Sequence, residues 1–212
     1  LTGVLGQWCD SIPALYISGQ VKQSTTICAC PELNLRQLGD QEVDIVDIVK
    51  PITKMAVMVT DPLDIKYYLD KAVFLALNGR PGPVWLDVPL DIQGAIVDEE
   101  KLREFSSEEI EKEAPLLKEE CVELLLQKIQ AAKSPVVYVG NGVRLAGRVE
   151  QFLSIVEKLN VPVVTAISGS DIIWHDHPLC FGKPGICGDR IGNIMVQNSD
   201  LLIVLGTRLS IR

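Results

Sequence analysis

No stretch of this chain constrains its fold more than the run from Gly79 to Gln93, Gly-Arg-Pro-Gly-Pro-Val-Trp-Leu-Asp-Val-Pro-Leu-Asp-Ile-Gln. Its prolines lock φ and its glycines admit φ values closed to other residues, so the opening Gly/Pro run is a rigid turn. The turn delivers the apolar run Val84 to Val88, which Pro89 stops and which reads as a short buried strand. Upstream, Asp61-Pro62 is a helix start, since Asp can accept from first-turn N–H groups and Pro fits the first turn. Ile65, Tyr68, Leu69, Ala72, Val73, Ala76 and Leu77 then recur at helical spacing, and Asn78-Gly79 supplies a left-handed stop. A helix handed through a tight turn into an apolar strand is the repeating unit of an α/β domain.

The rest of the chain repeats that alternation. Residues 1–10 read as the end of a helix, Ala14 to Ser18 as a buried strand, and residues 20–41 as a polar, punctuated loop. Residues 44–50 give a turn or two of helix, and Lys54 to Thr60 a further strand. After Gln93 the composition changes: residues 98–120 are rich in Glu and Lys with Pro115 inside, which predicts a solvated linker and a domain boundary. Beyond it come a helix over 119–132, a strand over 136–139 and a helix near 146–159. That last helix carries Val149, Phe152, Leu153, Val156 and Leu159 on one face and ends at Asn160. Strands at 161–165 and 201–205 flank a Gly-rich irregular stretch over 168–193. The expected architecture is α/β: parallel sheets flanked by helices in two partial domains, 1–98 and 119–212, with 99–118 as linker. Ligands then belong outside the carboxyl ends of the strands.

Composition narrows the class of partner. With 47% hydrophobic and 23% charged residues, 212 residues suffice for real cores. A formal charge of −8 disfavours nucleic acid and anionic membrane as partners, because such a surface repels phosphate backbones and acidic lipid. The six cysteines, at 9, 28, 30, 121, 180 and 187, form no C-x-x-C pair; Cys28-Ala29-Cys30 reads as reduced thiols ahead of a redox or metal pair. No apolar run approaches the ~18 residues of a membrane span, so a soluble, cytoplasmic protein is expected. The chain starts at Leu1 and stops at Arg212 directly after a strand, which suggests a piece of a longer protein.

Three places can carry chemistry. Val139-Gly140-Asn141-Gly142 is a strand end feeding a helix, suited either to a phosphate or to a bare structural turn. The third glycine of a dinucleotide fingerprint would fall at Leu145, with Gly147 two residues late, and Thr165 stands where a ribose-binding acid would be needed. A standard NAD site is therefore disfavoured. Gly206-Thr207-Arg208 ends another strand, where the Gly admits close approach and the Arg can pair with a diphosphate. Gly182, Gly185 and Gly188, near Lys183 and Arg190, line the same crevice or form a plain loop. His175-Asp176-His177 lacks a third ligand and reads as an exposed turn before Pro178.

The motif G-R-P-G-P-V-x-L-D-V-P-x-D-I-Q resembles the end of the pyrimidine-binding domain of thiamine diphosphate (ThDP) enzymes, closest to the acetolactate synthase large-subunit group. Asp10-Ser11-Ile12-Pro13, Gly19-Gln20-Val21 and Gln41-Glu42 fit the same domain, and the run from Ser134 to Arg212 is similar to the family's central domain. The resemblance implies a 2-keto acid carboligase or decarboxylase, a homodimer or tetramer, with ThDP and Mg²⁺ and an FAD bound by the central domain. By position, Gln41 would border the substrate, and Gly140, Asn141, Gly142, Gly206, Thr207 and Arg208 would line the FAD site, with Arg80 reaching it from the neighbouring domain. The family's activating Glu would precede Leu1, and its metal-binding G-D-G would follow Arg212. The segment alone is therefore expected to be inactive. Leu90 stands where the family has Lys, which puts the donor or acceptor in question. Variants of the reading are a ligase acting on another aldehyde or a nucleotide-linked keto sugar. From other classes, Asp200 to Leu209 resembles a strand of sirtuin deacylases, and a non-catalytic nucleotide-binding module stays open.

Overall fold

The computed structural model describes residues 1–110 and 118–209. The chain divides into two compact units, Leu1–Pro115 and Leu116–Arg212. In the first, helix α1 (Thr2–Asp10) leads to β1 (Ala14–Gln20), and three 3-10 turns follow at Gln23–Thr25, Ile27–Ala29 and Pro31–Leu33. Then come α2 (Ile45–Val49), β2 (Met55–Met58), α3 (Ile65–Leu77), β3 (Pro83–Pro89) and the single turn α4 (Leu90–Gln93).

The strand delivered by the Gly/Pro turn is the middle of its sheet. The order is β1-β3-β2, all parallel, with Ala14 opposite Pro83 through Gln20 opposite Pro89, and Met55 opposite Val84 through Met58 opposite Asp87. A central parallel strand is covered on both faces, and Val84 and Leu86 are fully buried. Ala72 and Ala76 of α3 pack on them, since their small side chains let the helix sit close to the sheet. On the opposite face Tyr16 stacks on Trp85 at 5.0 Å, and its hydroxyl donates to Gln7 of α1 at 2.5 Å.

The ends of α3 follow local chemistry. Asp61 accepts from Leu63 N–H at 2.9 Å, a 3-10 turn over Pro62–Asp64 precedes the helix, and Gly79 sits at φ 66 just past it. Its buried face is shifted from the one predicted: Val73 and Leu77 are exposed while Tyr67 is buried. The reason is that residues 98–110, expected as solvated linker, fold against α3. Phe105 meets Tyr67 and Phe74, the Arg103 guanidinium lies 3.8 Å over the Tyr67 ring, and Tyr67 donates to Glu109 at 2.8 Å. The remaining linker residues 111–117 lie outside the described residues.

The second unit contains α5 (Glu119–Ala131), β4 (Pro135–Val139), the one-turn α6 (Gly142–Leu145), α7 (Val149–Leu159), β5 (Val163–Thr165), α8 (Arg190–Gln197) and β6 (Leu201–Leu205). Its parallel sheet runs β5-β4-β6. Val137, Val139 and Val163 form a core with Phe152 and Val156 of α7 and with Ile172 and Ile173. Asn160 ends α7 in the left-handed conformation at φ 50. Two features differ from expectation. The helix predicted near 146–159 starts later, as α7 at Val149, because Gly147 at φ 65 separates it from the one-turn α6, which the sequence pattern does not predict. The stretch over 168–193 is less irregular than expected: residues 179–182 run beside β5, through bonds that link Val163 to Leu179 and Phe181, and α8 begins at Arg190.

Candidate functional site

In the first unit the carboxyl ends of the three strands open on a cavity of about 260 Å³, lined by Gln20, Cys28, Glu42, Asp44, Asp47 and Asp87 among others. Asp87 is an acid inside an otherwise apolar strand, and its burial is made possible by β1. Ser18 Oγ donates to it at 2.6 Å and Gln20 Nε2 at 2.9 Å, while Trp85 Nε1 donates to Ser18 Oγ at 2.7 Å. The loop over 21–41 closes one side and is held by two carboxylates. Asp91 accepts from Gln23 N–H at 3.0 Å. Glu42, itself buried, accepts from Ile27 N–H with Oε1 and from Leu38 and Gly39 N–H with Oε2 at 2.8 and 3.1 Å. Burial alone would raise the Glu42 pKa, but the three backbone donors outweigh it and hold the carboxyl below its ordinary range. Partial burial, and then Asp44, Glu42, Asp47 and Asp87, push the Cys28 thiol up, so it remains protonated at neutral pH. All six cysteines are free thiols.

Gln41 is exposed, beside this anchor, and has φ 61. A left-handed non-glycine residue is held by its surroundings, and Gln41 directly precedes Glu42, which anchors the loop through Ile27, Leu38 and Gly39. Leu90 is 56% exposed at the carboxyl end of β3. Arg80 lies at the other end of the same sheet, before β3. Its Nε donates at 2.7 Å to Ser11 Oγ, tying the turn before β3 to the turn before β1. The structure therefore sets Gln41 and Arg80 at opposite ends of one sheet rather than together.

In the second unit the sequence-predicted residues do come together. Gly140 N–H donates to Leu205 O and Gly142 N–H to Gly206 O, each at 2.8 Å, so the loops after β4 and β6 press backbone on backbone. A Cβ on Gly140 would lie 2.6 Å from Gly206 O, and one on Gly142 would lie 2.7 Å from Gly206 Cα. These glycines are thus required by loop packing, whatever else they contact. Gly206 takes φ 62, and Gly169, from the loop after β5, lies on the other side of Gly140. Beside this row Arg144 donates to Asn141 Oδ1 at 2.8 Å and to Asp171 Oδ1 at 2.5 Å. Sequence reasoning missed Arg144 and Asp171; the signal was a cation two residues past the Gly-Asn-Gly turn. In the Gly182 to Gly188 loop, Asp189 accepts from Lys183 N–H at 2.8 Å. His177 Nδ1 accepts from Leu179 N–H at 3.1 Å, which is a turn bond. Among the described residues no group of three or more His, Cys, Asp or Glu is placed to hold a metal ion, and no helix is long and apolar enough to cross a membrane.

A parallel sheet whose central strand turns through Gly-Asn-Gly, with a Gly-Thr-Arg strand end packed against it, defines a class. Residues 122–212 match the family described as thiamine pyrophosphate enzyme, central domain. The chain as a whole is acetolactate synthase large-subunit-like. It is 31% identical over 212 residues to the acetolactate synthase large subunit of Lactococcus lactis. It is 34% identical over 213 residues to the isozyme 1 large subunit of Escherichia coli, and 32% over 218 to a probable acetolactate synthase large subunit of Methanocaldococcus jannaschii. Each match takes in 100% of this chain and 35% of the relative, so the chain spans about a third of the length of these proteins. The similarity runs through residues 1–115 as well, which a sirtuin-like reading of the last strand leaves without explanation.

Proposed function

We propose that this chain is part of a ThDP-dependent 2-keto acid carboligase or decarboxylase most like acetolactate synthase. The proposed enzyme decarboxylates pyruvate and transfers the hydroxyethyl group to a second keto acid. One observation carries the reading: the similarity to acetolactate synthase large subunits runs through both units in the same order, over the whole chain. ThDP supplies the electron sink for decarboxylation when bound. On the resemblance to the family, the activating Glu and the G-D-G motif that holds Mg²⁺ are assigned to the rest of the proposed enzyme. This stretch contributes the substrate-side loop with Gln41 and a nucleotide site at Gly140, Asn141, Gly142, Gly206, Thr207 and Arg208. Closely packed strand-end backbone with a guanidinium beside it suits the ribose-diphosphate portion of FAD. The active assembly is a homodimer or tetramer in the cytoplasm.

A second acceptor class is favoured by one residue. The exposed Leu90, where the family has Lys, removes a cation from the mouth of the first unit and suits an uncharged aldehyde better than a second keto acid. The test is made on the full-length protein: release and identify its bound small molecules, then measure pyruvate consumption and CO2 release with and without added ThDP. Flavin absorption together with ThDP-dependent acetolactate formation is expected. ThDP-dependent CO2 release without flavin removes the FAD site and keeps the carboligase. Pyruvate and other 2-keto acids all untouched in the presence of ThDP overturn the reading.

A further inference from the structure

The guanidinium beside the proposed nucleotide site, that of Arg144, is not among the residues assigned to it. In the order β5-β4-β6 the chain leaves β4 for β5 on one side, while β6 lies on the other, and the strand ends of β4 and β6 meet at Gly140, Gly142 and Gly206. Ligands of open parallel sheets bind outside the carboxyl ends of the strands. Arg144 stands there, in the turn that follows Gly140-Asn141-Gly142. Its guanidinium is spread between two oxygens from different loops, Asn141 Oδ1 at 2.8 Å and Asp171 Oδ1 at 2.5 Å. Both side chains of the Arg144–Asp171 pair reach solvent, at 40% and 74% exposure, so the pair opens without unpacking a core. Arg208 follows β6, whose strand end packs against the Gly140-Asn141-Gly142 turn, and Arg190 begins α8.

We propose that Arg144 is the phosphate-gripping residue of the second unit's nucleotide site, held in place by Asn141 and by Asp171, whose carboxylate the ligand's phosphate displaces. The proposal rests on the reading of this unit as a nucleotide site and adds a residue to it. A planar guanidinium makes two parallel N–H bonds to phosphate as readily as to carboxylate, so the exchange leaves no donor orphaned. Asp171 returns to water, where an exposed carboxylate is well solvated.

The experiment measures equilibrium binding of FAD and of ADP, each alone, to full-length protein freed of bound nucleotide, with no turnover required. Arg144→Ala is expected to weaken both ligands by about tenfold to a hundredfold, the worth of one charge-assisted contact. Arg144→Lys, which keeps the charge and loses the fork, should fall between. Asp171→Asn, which keeps the shape and removes the competing charge, should bind more tightly than the unaltered protein at low salt. The exposed Arg148→Ala serves as the charge control and should bind as the unaltered protein does. If the unaltered protein binds neither ligand, the nucleotide-site reading falls and this proposal with it. If it binds and Arg144→Ala binds equally well, this proposal alone is overturned. Weaker binding by Asp171→Asn overturns the displacement step.

Discussion

Replacing Glu42 by Gln tests whether one carboxylate sets the shape of the loop beside the first unit's cavity. Three backbone N–H groups converge on it, from Ile27, Leu38 and Gly39. Hydrogen bonds to a charged acceptor contribute about 1.5–3 kcal/mol each and neutral ones about 1. Gln offers one oxygen. If it faces Leu38 and Gly39, two bonds survive in weaker form and the amide NH2 is turned against the Ile27 N–H. Allowing for the freed N–H groups to find water, the loss is about 3 kcal/mol, roughly two orders of magnitude in the opening equilibrium. The assay is amide hydrogen exchange on the full-length protein, comparing Ile27, Leu38 and Gly39 with the core amides of β3. Exchange at the three loop amides should accelerate by about that factor while β3 stays protected. The pH dependence has a definite sign. The folded-state pKa of Glu42 is lowered, so its contribution is present above the ordinary Glu pKa of about 4.3 and is lost as pH falls through the lowered folded value. Loop exchange in the unaltered protein, corrected for intrinsic rate, should therefore rise in acid, and that rise should be absent in Glu42→Gln. Unchanged exchange at the three amides would refute the anchoring role.

Three further changes separate shape from chemistry. Gln41→Gly relieves a left-handed residue, worth about 1–2 kcal/mol, against about 0.5–1 kcal/mol of extra chain entropy, so the melting temperature should barely move. Turnover that falls with stability unchanged then assigns the role to the side chain, and unchanged turnover removes Gln41 from the site. Gly142→Ala would place a Cβ 2.7 Å from Gly206 Cα and force the two loops apart, costing about 2–3 kcal/mol in urea unfolding; an unaltered midpoint contradicts the loop packing. Asp87→Ala strands the donors of Ser18 and Gln20 inside the sheet, a loss of about 3 kcal/mol, whereas Asp87→Asn, which keeps an acceptor, should lose less. Equal denaturation midpoints for the two variants would show that the acceptor is not what matters there.

What was legible in the sequence was whatever is decided locally. The Gly79 turn, the Asp61 cap, the Asn160 stop and the strand from Val84 each depend on a few adjacent residues, and each appears where expected, within a residue or two. Hidden features depend on partners far along the chain. Asp87 is buried because Ser18 and Gln20 supply donors from a strand nearly seventy residues earlier. Tyr67 is buried because residues around Phe105 fold back on it, although their composition is that of a solvated segment. Helix α8 has Gly192 near its start, which argues against a helix locally. Gly192 is nonetheless needed there, since a Cβ would meet the backbone of Lys183 at 2.6 Å. The candidate site divides the same way: Gly140 and Gly206 stand out as strand-end glycines, but that they need each other could not be read from either motif.

The net charge conceals a division that bears on function. Of the chain's charges, residues 1–115 hold ten basic and nineteen acidic side chains, whereas residues 116–212 hold ten and nine. The same contrast recurs at the two sheet ends where ligands are expected. Asp44, Glu42, Asp47 and Asp87 line the first unit's cavity with no Lys or Arg among its described lining residues, while the second unit has Arg144, just past β4 and paired with Asp171, and Arg208, just past β6. A diphosphate placed at the first site would meet like charges and one placed at the second would meet guanidinium groups, and at about 4 Å each such pair counts for about 1–4 kcal/mol, depending on exposure. A chain of −8 can thus still bind a nucleotide, because at ordinary ionic strength screening confines each field to about 10 Å and the local cations decide. The overall acidity argues against a long polyanion laid over the whole surface, and leaves one diphosphate in the second unit fully compatible with it.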